Sequence, residues 1–222
     1  MNEQFTKRVD TRKLCVLAMM CALAFLLAAY VRIPIVLFLR YDPKDVIIVI
    51  AGFLFGPLAA FFVTVVVSLM QMLTGVSRTG YFGLFMNIVS SAAFCCTAAI
   101  IYKKKRTFKG AFIGLVVAGI FATAVMMMWN YIVAPLFMEM PREDIVRLLI
   151  PAFLPFNLVS NGLNIVFTIV LYKRVGLILN AMRMMPRTEE SGTSASYKGL
   201  VLSALFIIVT CVLWVLIIMG VI

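Results

Sequence analysis

The chain has 222 residues, 64% hydrophobic and 13% charged, with a mean hydropathy of +1.10; a soluble domain is about half apolar and about a quarter charged. Composition therefore excludes an ordinary water-soluble core and points to a polytopic helical membrane protein. With no histidine in the chain, His-based triads, His-metal sites and His proton shuttles are excluded as well.

The net charge of +11 does not indicate nucleic-acid binding, because the basic residues cluster in short segments between apolar runs, as a topology signal does. All five cysteines (Cys15, Cys21, Cys95, Cys96 and Cys211) fall inside apolar runs without a CxxC pair. They read as reduced small residues rather than a disulfide framework.

Spanning the hydrocarbon takes roughly 20 apolar residues. The first such run is residues 14–31, preceded by Lys7, Arg8, Arg12 and Lys13. No clean small-x-small site ends it, so it reads as a span rather than a signal peptide. Residues 46–73 form the second run, broken by Gly56-Pro57. As one helix it would be about 42 Å long, too long for an upright crossing. Turned at Gly56-Pro57 into two short spans, it leaves 14 of the 20 basic residues on one side, including the 103–109 cluster. The positive-inside rule selects that arrangement, with a cytoplasmic N-terminus. Further runs at 83–102, 110–137 and 148–172 complete six helices.

The expected organisation is a cytoplasmic N-terminus (1–13), a six-helix membrane domain (14–175), a polar cytoplasmic linker (176–199) and an additional transmembrane helix (200–222). The fold class is all-α integral membrane, located in the plasma membrane as a multi-pass protein within the lipid bilayer. The last helix carries little polar beyond Ser203 and Thr210 and reads as a lipid-facing appendage. No internal repeat is evident, which disfavours an inverted-repeat transporter.

The six runs contain no Asp, Glu, Lys or Arg, whereas ion-coupled pumps need ionisable groups at membrane depth. A GxxxxGK[ST] phosphate loop is absent too, so ATP is not hydrolysed by that route. Neutral hydrogen-bonding residues take their place. Asn157, Ser160, Asn161 and Asn164 stand at i, i+3, i+4 and i+7 on one helical stripe, and Thr64, Ser68 and Gln71 follow a similar spacing. Asn87, Ser90 and Ser91 lie in the fourth expected helix, and Trp129-Asn130-Tyr131 falls near the end of the fifth. Serine and threonine there are ordinary interhelical glue. An asparagine amide has up to four hydrogen bonds to satisfy, so several converging amides point to a pocket for a neutral polar heterocycle. Asn130 and Asn157 flank the 138–150 loop and are expected to face each other.

Residues 31–46 (VRIPIVLFLRYDPKDV) are too charged to span and too apolar for a free loop; a cap folded over an external pocket fits them. Asp45, just before the apolar run, is expected to cap the second helix. On the first helix Cys15, Ala18, Ala22 and Ala29 share a face, and Ala18-x-x-x-Ala22 is a small-xxx-small seam that lets another helix approach closely.

Four segments together resemble a known family. Phe38-Leu39-Arg40-Tyr41-Asp42-Pro43-Lys44-Asp45, Gly52-Phe53-Leu54-Phe55-Gly56-Pro57, Asn130-Tyr131 followed by Pro135, and Pro155-Phe156-Asn157 are similar to the substrate-binding (S) components of energy-coupling-factor (ECF) vitamin transporters, in particular the riboflavin-specific members. The likeness covers about residues 10–175. It implies a six-helix S-component bundle, an external riboflavin site under the first loop, and a first-helix seam at Ala18 and Ala22 docking onto the ECF transmembrane coupling component. Two cytoplasmic ATPase subunits would supply the energy. No covalent chemistry and no cofactor are implied; riboflavin is cargo. The riboflavin-binding set expected from the polar residues and the resemblance is Leu39, Tyr41, Asp42, Asp45, Asn87, Asn130, Tyr131, Asn157, Ser160 and Asn161, with Trp129, Tyr131 and Phe156 packing on the ring faces.

The chain departs from the pattern at Ser160, where the riboflavin-specific members usually carry lysine, and in its seventh helix. The alternatives are an S component for another vitamin or heterocycle and, in a different class, a membrane enzyme or assembly protein. Without histidine or intramembrane charge, an enzyme has few general acids or bases available.

Overall fold

A computed structural model describes residues 11–181, apart from 37–38, 78–79 and 140. The expected linker from 182 onward and the expected helix at 200–222 lie outside the described residues. Seven helices and one short hairpin follow in chain order: α1 (Thr11–Tyr30), β1 (Ile33–Val36), β2 (Leu39–Tyr41), α2 (Lys44–Phe55), α3 (Pro57–Leu73), α4 (Gly80–Lys104), α5 (Phe108–Met138), α6 (Arg142–Leu148) and α7 (Leu154–Ala181). A π-helical turn, Leu149–Phe153, joins α6 to α7. Among the described residues, four stretches are by length and composition long and apolar enough to cross a membrane: Thr11–Tyr30, Gly80–Lys104, Phe108–Leu136 and Arg142–Tyr172.

The burial of each helix follows from its sequence. Helix α2 is apolar all round (VIIVIAGFLF) and is accordingly packed on every side, with Val46 to Phe53 all buried; a helix without a polar face belongs at the centre of a bundle. Helix α3 turns one stripe inward, burying Ala60, Val63, Thr64, Val67, Ser68 and Gln71. Helix α1 buries only Leu17, Cys21, Ala24 and Ala28, leaving Met19, Leu23 and Leu26 exposed. Its small residues Cys15, Ala18 and Ala22 also lie on the exposed side.

The break between α2 and α3 is made by Gly56, whose φ of 96° and ψ of 173° is a conformation essentially reserved for glycine. Pro57 then opens α3 at its first position, where its missing N–H costs nothing. Close packing beside this turn depends on Gly52: a Cβ there would meet Ala99 Cβ at 2.9 Å and Ala60 Cβ at 3.0 Å. Lys13 lies over the Phe55 ring at 5.6 Å, and Phe53 packs on Tyr102 with ring centroids 4.4 Å apart. The start of α1, the Gly56 turn and the end of α4 therefore share one end of the bundle. The basic residues Arg12, Lys13 and Lys103–Lys109 are gathered there, as the two-span reading of residues 46–73 requires.

Three expectations are corrected. The fold is not wholly α: β1 and β2 pair antiparallel, Ile33 opposite Tyr41 and Pro34 opposite Arg40, with an irregularity between Pro34 and Val36. Alternating β-branched residues favour the strand, and Pro34 is tolerated because a two-stranded ribbon has only edges. The loop expected over 138–150 is mostly helix α6. It runs into the π turn, where Pro151 lacks the N–H that an α-helix needs and the Leu154 N–H reaches back five residues to the Leu149 carbonyl. Finally, α2 begins at Lys44 rather than Val46, with Lys44 buried and Asp45 half-buried, so charged side chains do enter the bundle.

Candidate ligand-binding site

At the end opposite the basic cluster, the hairpin, the segment after α3, the start of α4, the end of α5 and the π turn enclose a cavity of about 350 Å³. This lies within the roughly 300–1,000 Å³ typical of small-molecule sites. Its apolar surface comes from Phe82, Met86, Met126, Trp129, Phe153 and Phe156, and its polar groups are Arg32, Arg40, Asp42, Gln71, Asn87, Asn130 and Asn157. Flat aromatic faces with a few convergent amides suit a planar ligand that carries donors and acceptors on its edge.

Each polar group is held by a specific local feature. Asn157 lies one turn beyond the π turn and donates from Nδ2 to the Phe153 carbonyl at 2.7 Å, which leaves its Oδ1 as the atom available to a ligand donor. Arg32, just after α1, donates from Nε to the Ala28 carbonyl at 3.0 Å and from Nη2 to the Val76 carbonyl. It thereby ties the base of the hairpin to the segment following α3. Asp42 follows β2, and its Oδ2 accepts from Gln71 Nε2 at 3.1 Å and pairs with Lys44 Nζ at 3.4 Å.

Lys44 stands directly behind this wall. Its side chain is 3% exposed, and Nζ also donates to Gln71 Oε1 at 3.1 Å and to Asn87 Oδ1 at 2.9 Å. Sequence reading did not select Lys44 or Gln71. Gln71 was visible as the last member of the Thr64–Ser68–Gln71 stripe, and Lys44 as a charge immediately before an all-apolar helix.

Of the ten residues expected to form the site, Asp42, Asn87, Asn130 and Asn157 line the cavity. Tyr41, Asp45 and Asn161 lie in the packing behind it. Tyr41 is buried and donates from its hydroxyl to Asn164 Oδ1 at 2.8 Å. Burial, reinforced by the Asp45 and Asp42 carboxylates, pushes the Tyr41 phenol up, so it remains a donor. Asp45 does not cap α2; it accepts from Ser91 Oγ at 2.5 Å and from Asn164 Nδ2 at 3.5 Å. Asn161 donates to Thr123 Oγ1 at 3.0 Å and to the Gly119 carbonyl at 3.3 Å, joining α7 to α5. The Ser160 hydroxyl is buried with no hydrogen-bond partner among the described residues and does not line the cavity.

Tyr131 is 42% exposed and carries the Arg142 guanidinium 5.5 Å above its ring, outside the cavity; Trp129 and Phe156 are the expected aromatics that do line it. Leu39 belongs to β2, with its side chain outside the described residues. The stripe on α7 thus divides by depth: Asn157 reaches the cavity, whereas Asn161 and Asn164 bind helices together. That division follows from α7 passing behind α5 and the hairpin below the π turn.

Comparison with known proteins gives consistent findings. The profile of the family described as "ECF transporter, substrate-specific component" matches residues 12–172. The chain is 32% identical over 188 residues to the riboflavin transporter RibU of Staphylococcus aureus, covering 81% of this chain and 95% of that one. It is 31% identical to the riboflavin transporter RibU of Streptococcus thermophilus, covering 77% and 85% respectively, and 26% identical to the riboflavin transporter FmnP of Bacillus subtilis, covering 74% and 93%. Among solved structures, the S component of a bacterial ECF transporter matches with a TM-score of 0.66 and 31% identity, covering 77% of this chain and 99% of that chain.

Proposed function

Because the chain belongs to the substrate-specific components of ECF transporters, a family of transporter subunits rather than enzymes, we propose that it is the riboflavin-binding member of such a transporter. The observation that carries this reading is the cavity itself: a space of about 350 Å³ walled by aromatic rings and by the amides of Asn87, Asn130 and Asn157. The amides match the donor and acceptor edge of the isoalloxazine ring, and Trp129 and Phe156 offer faces for it to pack against. The hairpin forms the lid, and the names of the relatives favour riboflavin over other heterocycles.

Helices α1 to α5, with α6 and α7 as one unit, form six spans. The positive-inside rule puts the basic end in the cytoplasm together with the N-terminus, so the cavity opens outward and captures the vitamin outside the cell. Uptake requires energy that this chain does not supply. A transmembrane coupling component docks on the exposed small-residue face at Ala18 and Ala22, where helices approach closely, and two cytoplasmic ATPase subunits drive release inward.

The reading is tested by purifying the protein in detergent and recording its visible absorption spectrum. Co-purified flavin bands, lost on stripping and restored by added riboflavin, are expected. A colourless protein that gains no flavin on incubation would overturn the assignment while leaving the family membership intact.

A further inference from the structure

Lys44 is buried, yet it touches the polar wall of the cavity at three points: Asp42 Oδ2 at 3.4 Å, Gln71 Oε1 at 3.1 Å and Asn87 Oδ1 at 2.9 Å. All three partners line the cavity and Lys44 does not. A lysine ammonium has three donors and no acceptor. Any amide in contact with it must therefore present oxygen and turn its NH₂ group elsewhere.

For Gln71 that NH₂ group goes to Asp42 Oδ2. For Asn87, half-buried at the cavity wall, Nδ2 is the atom left for a ligand. Asp42 spends Oδ2 on both Lys44 and Gln71, leaving Oδ1. The charges of Lys44 and Asp42 cancel, and the wall offers one fixed donor, Asn87 Nδ2, beside one fixed acceptor, Asp42 Oδ1.

We propose that Lys44 is a positioning residue for ligand specificity, which locks the Asn87 amide and the Asp42 carboxylate so that this wall selects a neutral group pairing an acceptor with a donor, such as an imide edge or adjacent hydroxyls. This rests on the riboflavin reading above and adds to it a residue that never meets the ligand. Without the ammonium, the Asn87 amide is free to turn over and present oxygen, and a carboxylate is left without its counter-charge at the cavity.

The test is a double-mutant cycle read by riboflavin fluorescence quenching on the full chain in detergent. Lys44→Met is expected to weaken binding about 10- to 100-fold in otherwise unchanged protein, the range for losing hydrogen bonds to a charged group. In an Asn87→Ala background, where the Asn87 amide is gone and only the Gln71 and Asp42 contacts of Lys44 remain to be lost, the further loss is expected to be at least about threefold smaller than in the unmodified protein. Equal losses in the two backgrounds, or no loss in the first, would overturn the role.

Lys44→Met alone can unfold the bundle by stranding Asp42, so the cycle is repeated in an Asp42→Asn background, whose wall is neutral without the lysine. The same non-additivity is expected there, and additivity overturns the proposal. Failure of the unmodified chain to bind riboflavin removes the functional reading and this role with it. Binding by the unmodified chain with additive losses removes only the role of Lys44.

Discussion

The Tyr41 hydroxyl donates to Asn164 Oδ1 at 2.8 Å across 123 residues of sequence, tying the hairpin that covers the cavity to the middle of α7. Asn164 continues the contact to Asp45 at the start of α2, and Asp45 accepts from Ser91 on α4. Tyr41 of the hairpin is therefore anchored to three helices through one chain of hydrogen bonds.

Tyr41→Phe keeps the ring and removes the donor. It is expected to lower stability by about 1 kcal/mol or somewhat more, because Asn164 Oδ1 is left buried without its partner. A lowered unfolding temperature in detergent without loss of the riboflavin site is the expected result; an unchanged temperature would show that the anchor contributes nothing.

Asn130 on α5 and Asn157 on α7 both line the cavity. Each alanine substitution is expected to weaken riboflavin binding by about 1–3 kcal/mol, since a ligand edge is left unsatisfied in a closed site. Titration of the two variants by fluorescence quenching decides the point. Unchanged affinity in both would contradict the assignment of the cavity as the binding site.

The Ser160 hydroxyl is buried without a hydrogen-bond partner among the described residues, and Ser160 does not line the cavity. Ser160→Ala is expected to shift riboflavin affinity by less than about threefold, or roughly 0.6 kcal/mol. A tenfold loss in the same titration would show that the hydroxyl reaches the ligand after all.

Much of the fold was legible because its strongest signals are local. Apolar length marked the helices, Gly56-Pro57 marked the break between α2 and α3, and the basic clusters marked one end of the bundle. The site was legible in part. Asparagines in apolar runs announce buried polar contacts, but helical spacing alone does not tell a cavity wall from a helix–helix seam. Asn157 serves the first, while Asn161 and Asn164 serve the second.

Other features depend on tertiary contacts that no local pattern encodes. Lys44 looked like a loop charge until the ends of α3 and α4 placed Gln71 and Asn87 around it. The hairpin pairing of Ile33 with Tyr41 and the π turn around Pro151 were hidden for the same reason: both are short departures set by how the chain must close over the cavity.

The exposed small-residue face of α1 gives a separate prediction. Ala18→Trp is expected to abolish riboflavin uptake in cells that also express the coupling component and ATPases, while leaving riboflavin binding by the purified chain intact. Bulk at a seam of this kind prevents close helix approach. Uptake that survives the substitution would place the docking surface elsewhere.

The most direct test of the account is a fluorescence titration of the purified, ligand-stripped chain with riboflavin. The account predicts saturable quenching at one flavin per chain, as the isoalloxazine ring enters the aromatic cavity. No quenching and no retained flavin at saturating ligand would contradict it, and would assign the cavity to a different small molecule.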